Sequence, residues 1–153
     1  MDDDPIIIRP YEGSAETTAL SQIWLDASLI AHSFIGEQRL IEQRALIEDQ
    51  YLPNSETWVA MVDGAPVGFI SLLDTFVGGL FVAPDMQGRG IGRRLIDQAM
   101  ALRGDLELDV YVHNAAALRF YRRLGFQEQS RRAMDDEGLP FENIRLRLTR
   151  SPT

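Results

Sequence analysis

The chain contains no cysteine and no lysine, so all 15 of its basic residues are arginine. Without thiols it can form no disulfide, no thiolate metal site and no acyl-cysteine intermediate. Its two histidines, His32 and His113, do not have the spacing of a metal-binding motif, and the sequence lacks the G-x-S-x-G elbow of serine hydrolases. The sequence therefore predicts no metal site and no catalysis by a cysteine or by a serine elbow.

Long apolar runs are also missing, so no membrane span is expected. The opening residues do not have the pattern of a signal peptide, and a cytoplasmic location is the default expectation. With 153 residues, 45% of them hydrophobic, the chain is expected to form one globular domain over residues 1–153. Its formal charge of -8 argues against nucleic acid as a partner and suits a cationic one, such as an amine or a basic peptide.

The stretch from Val77 to Arg103 organises the rest of the chain. An apolar strand, Leu80-Phe81-Val82, is followed by the glycine-rich segment Gln87–Gly92 and then by a helix. Glycines leave the backbone N–H groups uncovered at the positive end of the helix dipole, which suits a phosphate group. A plain glycine turn is the alternative. The predicted apolar stripe of the helix consists of Ile91, Leu95, Ala99 and Leu102.

The remaining segments alternate between strand and helix patterns. Strands are predicted at Ile6–Arg9, Thr57–Val62, Pro66–Leu73, Val77–Val82, Leu106–Val112, Gln127–Met134 and Asn143–Leu148. Helices are predicted at Leu20–Ala31, Glu37–Gln50, from Ile91 and from Asn114. Asp63-Gly64 indicates a tight hairpin turn. The strand–helix–strand order around the glycines predicts a right-handed crossover, and so a parallel pairing of the fourth and fifth strands.

A second motif follows between Asn114 and Phe126. Together, Gln87-x-x-Gly90-x-Gly92 and Asn114-x-x-Ala117-x-x-Phe120-Tyr121-x-x-x-Gly125-Phe126 resemble the GNAT superfamily of acetyl-CoA-dependent N-acetyltransferases. The resemblance is clear from Thr57 to Phe126, and the upstream part is more weakly similar to small single-domain bacterial members, some of which acetylate protein lysines. It implies an α/β (α+β) fold, with a central mixed, twisted sheet of six to seven strands flanked by about four helices.

The resemblance also implies an activity. Acetyl-CoA would donate its acetyl group to a primary amine by direct attack in a ternary complex, without a metal, and the protein would be a monomer or a homodimer. The amine could belong to a protein lysine, a protein N-terminus or a small molecule. One rival is a non-catalytic acetyl-CoA sensor or interaction module with the same fold. A dinucleotide-binding enzyme is another, although the residues from Pro84 to Gln87 separate strand and glycines, unlike its tight fingerprint.

The family assigns roles to residues in both motifs. The pantetheine arm would enter between the fourth and fifth strands, with Gly78-Gly79 as a bulge or a simple strand start. A backbone N–H near Phe81 or Val82 would polarise the thioester carbonyl, and Tyr121 would protonate the leaving thiolate. The implied cofactor-binding residues are Phe81, Val82, Gln87, Gly88, Arg89, Gly90, Ile91, Gly92, Arg93, Asn114 and Tyr121, with Arg94 as a further peripheral phosphate contact.

The catalytic set is predicted as Tyr121, Asn114 and Asp109. Tyr121 could instead be a core residue of its apolar helix stripe, and Asn114 could serve as a helix cap, alone or in addition. Asp109, which shares a strand face with Glu107, is one candidate base; His32, Glu107 and a water chain are the others. Residues 131–153 carry no readable chemistry.

Overall fold

The computed structural model describes residues 5–136 and 138–149. Its strands are β1 Ile7–Pro10, β2 Glu56–Val62, β3 Ala65–Leu73, β4 Phe76–Val82, β5 Asp105–Tyr111, β6 Gln127–Arg132 and β7 Asn143–Thr149. Its helices are α1 Ser14–Ala31, α2 Glu37–Leu46, α3 Leu52–Asn54, α4 Ile91–Arg103 and α5 Ala115–Arg123, with a π-helical turn, Ile47–Tyr51, between α2 and α3. Ser33–Ile35 and Pro84–Met86 are short 3₁₀ helices.

All seven strands form one mixed sheet in the order β1-β2-β3-β4-β5-β7-β6, which confirms the predicted fold class. Strands β4 and β5 are parallel, as the crossover rule predicts, and the other described neighbours are antiparallel. Asp63 and Gly64 join β2 to β3 with φ angles of 53° and 75°. Two consecutive positive φ angles are the backbone of the tight hairpin turn that Asp-Gly predicts.

Helices cover the sheet unequally. On one face, α4 buries Ile91, Leu95, Ile96 and Ala99 against the central strands. On the other face, α1 and α2 pack Leu20, Trp24 and Leu40 against Val59 and Phe69. Helix α1 contacts β3 and β4, so the half of the sheet formed by β5, β7 and β6 carries charged side chains on that face instead.

Two local predictions are wrong. Leu102 is 41% exposed, whereas Ile96 is 1% exposed, so the buried stripe of α4 runs through Ile96 rather than out to Leu102. Ile91, Leu95 and Ala99 are buried as predicted, and the stripe widens to include Ile96. Strand β6 ends at Arg132, because the chain turns there, and Met134 is exposed instead of completing the strand.

Two kinds of feature are absent from the part of the chain that the structure describes. No helix there is long and apolar enough to cross a membrane. No group of three or more histidine, aspartate or glutamate side chains there is arranged to hold a metal ion.

Candidate active site

Strands β4 and β5 separate after a short parallel pairing. The register joins Phe76 to Glu107 and Val77 to Leu108. Immediately beyond, the pairing of β3 with β4 shifts by one residue opposite Gly78, which confirms the predicted bulge. A bulge bends the strand that contains it, so β4 diverges from β5 at this point. The two strands then border a cleft of about 1120 Å³.

The glycine loop closes one end of this cleft. Gly88 and Gly90 have φ angles of 83° and 81°, in the region that favours glycine. Gly90 immediately precedes α4, and no side chain caps the helix there. The N–H groups of the first helical turn therefore lack a side-chain acceptor, and the loop lines the cleft, as a phosphate site requires. Gly92 has a different role, because a Cβ there would lie only 3.1 Å from the ring of Phe120.

The polar side chains of the loop point in different directions. Gln87 Nε2 donates to the Val82 carbonyl at 3.2 Å and so ties the loop to the end of β4. Arg93 lines the cleft. Arg94 donates from Nη2 to the Ile6 carbonyl at 3.2 Å, on the side of the N-terminal segment. Arg89 is exposed. Of the predicted phosphate contacts, Arg93 is therefore better placed than Arg94.

The backbone of β4 offers donors to the cleft in alternation. Ala83 N–H donates to the Val67 carbonyl of β3 at 2.8 Å. Backbone groups of alternate residues in an antiparallel strand point to the same neighbour, so Phe81, like Ala83, directs its N–H toward β3. Val82, and by the same alternation Leu80, direct theirs into the gap. Between the two predicted carbonyl-polarising positions, the geometry favours Val82.

Tyr121 lines the cleft from α5 and is nearly buried, with 9% of its surface exposed. Its ring packs edge-on against Phe120 and Phe126, at centroid distances of 5.2 and 5.3 Å. Burial raises the pKa of its hydroxyl above the ordinary value, because the phenolate would lose its hydration. The side chain is therefore both a core residue and a neutral phenol that can donate a proton into the cleft.

Asn114 and His32 come together across the mouth of the cleft. Asn114 Oδ1 accepts from Ala117 N–H at 3.2 Å, which confirms that it caps α5. Its Nδ2 lies 3.4 Å from His32 Nε2. Because the cap fixes the amide orientation, Nδ2 is the donor and His32 Nε2 the acceptor. Burial lowers the pKa of His32 to about 4, so the imidazole is neutral near pH 7.

Asp109 is held by two arginines. Arg145 donates to both of its carboxylate oxygens, at 2.5 and 3.2 Å, and Arg132 adds a bond at 3.1 Å. Arg145 also reaches Glu107 at 3.1 Å and lies over the ring of Phe76. Both carboxylates therefore belong to a charge network with arginines on the open face of β5.

The chain is similar to a family model and to proteins of known name. A family model described as an acetyltransferase (GNAT) domain matches residues 53–128. The chain is 34% identical over 132 residues to the peptidyl-lysine N-acetyltransferase YjaB of Salmonella typhimurium, covering 86% of this chain and 90% of that protein. The chain belongs to the GNAT acetyltransferase family. It is accordingly an acyltransferase, as the two motifs predict.

Solved structures of this fold resemble this chain over nearly its whole length. The solution structure of apo YjaB from Escherichia coli matches with a TM-score of 0.86 and 30% identity, covering 96% of this chain and 99% of that one. The structure of yncA from Salmonella typhimurium, determined with its cofactor acetyl-CoA, matches with a TM-score of 0.68 and 20% identity, covering 97% and 95%.

The end of the cleft remote from the glycine loop combines apolar and acidic walls in this acetyltransferase. Helices α1 and α2 contribute Ile30 and Leu46, which are 69% and 50% exposed. The opposite wall includes Asp135 and Asp136. Phe34 lies at the centre of a ring cluster there, which contains Tyr111, His113 and Phe141 at centroid distances of 4.8–5.1 Å from it.

Sequence reasoning missed several residues of the GNAT site. Arg132 and Arg145 were not connected with Asp109, although β7 alternates arginines with apolar residues just as β5 alternates acids with them. That alternation was the available signal, but the register between the strands was not. Phe34 lies in the three-residue 3₁₀ helix and Phe141 in a loop, so neither belongs to a periodic pattern. Tyr51 carries no sequence signal for its contact with Gly78 of β4.

Proposed function

We propose that the protein transfers the acetyl group of acetyl-CoA to a primary amine of a protein by direct attack in a ternary complex. The observation that carries the proposal is the uncapped, glycine-rich start of α4 at one end of the cleft between β4 and β5. Phosphates favour such a helix start, and an extended amide chain favours the unpaired edge of a strand. Acetyl-CoA has both parts.

The cofactor would occupy the cleft from the loop inward. Its pyrophosphate would contact the backbone of Gln87–Gly92, with Arg93 as a neighbouring positive charge. The pantetheine arm would run along the gap and pair with the edge of β4. Val82, whose N–H faces the gap at its loop end, would donate to an amide carbonyl of the arm. Asn114 would border the arm from the start of α5.

Chemistry at the thioester requires one proton donor and one proton acceptor. The amine nitrogen attacks the carbonyl carbon, and the carbon–sulfur bond breaks as the tetrahedral intermediate collapses. Tyr121 gives its hydroxyl proton to the departing thiolate and regains a proton from water. The phenol lines the cleft and carries its proton at neutral pH, so it can donate to the departing thiolate.

The proton of the amine has a less direct route. Asp109 and Glu107 are engaged by arginines, and His32 Nε2 faces the amide of Asn114. We therefore assign the base role to water in the cleft. Of the candidate side chains, His32 rather than Asp109 would help to accept the proton. His32 is neutral near pH 7 and carries no ion pair among the described contacts.

A protein lysine is the acceptor that the site suits best. The formal charge of -8 favours a basic polypeptide over an acidic one. YjaB, named as a peptidyl-lysine N-acetyltransferase, supports the same choice. Since this chain has no lysine, acetyl-lysine formed in an assay reports the acceptor alone.

Calorimetry with acetyl-CoA, and with NADH as the control, tests the cofactor assignment. Thiol release is then measured with a lysine peptide, the same peptide with its lysine acetylated, and a lysine-free peptide with a free N-terminus. We expect acetyl-CoA to bind, NADH not to bind, and release to require the free lysine. Folded protein that binds no acetyl-CoA would refute the proposal, and release with the lysine-free peptide alone would move the acceptor to N-terminal amines.

A further inference from the structure

Tyr51 contacts β4 at the bulge that opens the cleft. It ends the π-helical turn Ile47–Tyr51, and Ser55 Oγ donates to its carbonyl. The phenol reaches Gly78 so closely that a Cβ on Gly78 would overlap the Tyr51 hydroxyl oxygen. The hydroxyl therefore occupies the space that any larger residue at position 78 would need. Glycine at the bulge and tyrosine on the π-helical turn form a matched pair.

The hydroxyl of Tyr51 has no hydrogen-bond partner in the described structure, although its oxygen is buried. Burial raises its pKa to about 12, so it remains a neutral phenol. A buried hydroxyl without a partner costs free energy that phenylalanine would not. The hydroxyl therefore does not stabilise the fold through a hydrogen bond. Its contact with Gly78 is the feature that needs an explanation.

Gly78 lies where the donor's acyl group is expected. Val82, at the loop end of β4, lies four positions further along the strand, so at 3.3 Å per residue the distance between the two residues is about 13 Å. An extended pantetheine arm spans a comparable length from the pyrophosphate. One residue further, at Val77, β4 pairs with β5 again and the gap ends. The thioester would therefore reach the closed end of the gap beside Gly78.

A second cavity, of about 350 Å³, lies on the far side of Tyr51. Its lining includes Leu46 and Ile47, which also line the main cleft, together with Gln50 and Leu73. Tyr51 lines this cavity, and its hydroxyl reaches Gly78, which lines the main cleft. Shortening that side chain would connect the cavity with the closed end of the gap.

We propose that Tyr51 determines acyl-chain specificity, because its phenol fills the space beside Gly78 into which an acyl group longer than acetyl would extend. The inference rests on the proposed use of acetyl-CoA. It assigns to Tyr51 a contact with the donor's acyl group, whereas transfer itself depends on Tyr121. The volume of the side chain at position 51, rather than its hydroxyl chemistry, then sets the limit.

The test compares dissociation constants for acetyl-CoA and butyryl-CoA by calorimetry. Tyr51→Phe, Tyr51→Leu and Tyr51→Ala remove increasing volume, and Gln50→Ala is the control because Gln50 lines the second cavity beside Tyr51 but does not line the main cleft. Butyryl-CoA should bind wild type more weakly than acetyl-CoA. The ratio of the two constants should move toward butyryl-CoA in the order Phe, Leu, Ala, by about tenfold or more for Ala, the scale of added methylenes in an apolar pocket.

Each outcome decides between the two proposals. Absence of acyl-CoA binding in folded wild type refutes the proposed function and leaves Tyr51 without a substrate. Equal ratios in wild type and in the folded Leu variant overturn the role of Tyr51 while acetyl-CoA binding stands. The Leu variant keeps an apolar side chain at this position and serves if the Ala variant does not fold, as circular dichroism would show. An equal shift in Gln50→Ala would also overturn the assignment.

Discussion

Gly90→Glu should abolish most acetyl-CoA binding, whereas Gly104→Glu in the same helix should not. The two glycines are matched: they flank α4 with φ angles of 81° and 76°, and at neither would an added Cβ meet another atom within 4 Å. A side chain in this left-handed conformation costs about 1–2 kcal/mol at either site. Both variants should therefore lose similar stability, and only the first places a carboxylate at the proposed phosphate site.

The size of the binding loss follows from electrostatics. A carboxylate 4 Å from one phosphate charge is repelled by about 1 kcal/mol in bulk water and by about 4 kcal/mol at an effective dielectric constant of 20. Since 1.4 kcal/mol is a factor of ten, the dissociation constant should rise by roughly fivefold to a thousandfold. Gly90→Gln has nearly the same shape without the charge, so it separates repulsion from obstruction.

Calorimetry at low and high salt gives the dissociation constants, and urea unfolding gives the stabilities of the three variants. The loss in Gly90→Glu should shrink as salt screens the repulsion, whereas a loss through obstruction should not. If Gly104→Glu lost binding as strongly as Gly90→Glu, the effect would come from the helix as a whole. If Gly90→Glu bound normally, the loop would not hold the phosphates.

Three further predictions concern single side chains. Tyr121→Phe should lower kcat by about 10²-fold or more, as expected for loss of a general acid, and should retain its affinity for acetyl-CoA. Tyr11→Phe, remote from the cleft and bonded to Thr17, should leave kcat unchanged. Full turnover of Tyr121→Phe at every pH would exclude the acid role. Arg93→Ala should weaken acetyl-CoA binding by about two- to fivefold at low salt, the scale of an exposed ion pair, and Arg94→Ala should have little effect; binding indifferent to Arg93→Ala would remove it from the site. His32 has a lowered pKa of about 4, so the unfolded chain binds a proton at higher pH than the folded chain does. The free energy of unfolding should therefore fall as pH drops from about 6.5 to 4, by on the order of 3 kcal/mol. Urea unfolding of His32→Gln should lack this part of the pH dependence, and a pH dependence equal to that of wild type would contradict the assignment.

Local patterns were sufficient for most of the fold. The alternation Leu106, Leu108 and Val110 places β5 with its apolar side against α4 and α5, and the structure buries these three residues. Asp63-Gly64 determines a turn by itself, and the crossover rule determines the direction of β5 relative to β4. Each of these inferences depends on neighbours in sequence. Leu102 shows the limit, because it projects from the same side of α4 as Ile91 and Leu95, yet it lies at the end of the helix and is exposed, which spacing alone does not reveal.

The ion-pair partners of the candidate base could not be predicted in the same way. Asp109 faces Arg145 because β5 and β7 pair in that register, and a shift by one residue would send the arginine to the opposite face. Arg132 joins them from β6, across a further irregular pairing. A carboxylate that looks like a base in its own strand thus becomes part of an ion-pair network through two strands that lie more than 20 residues away in the sequence.

The cleft and the cofactor proposal share one physical origin. Beyond Val77 the edge of β4 toward β5 has no strand to pair with, because the bulge at Gly78 turns it away. Backbone groups that neither protein nor ligand satisfies must remain hydrated. An extended chain with amide groups can replace that water and restore the ladder, and the pantetheine arm is such a chain. Tyr51 contacts Gly78 at this same bulge, so the feature that opens the sheet edge for the donor is also where, under the proposed role of Tyr51, the length of the acyl group is limited.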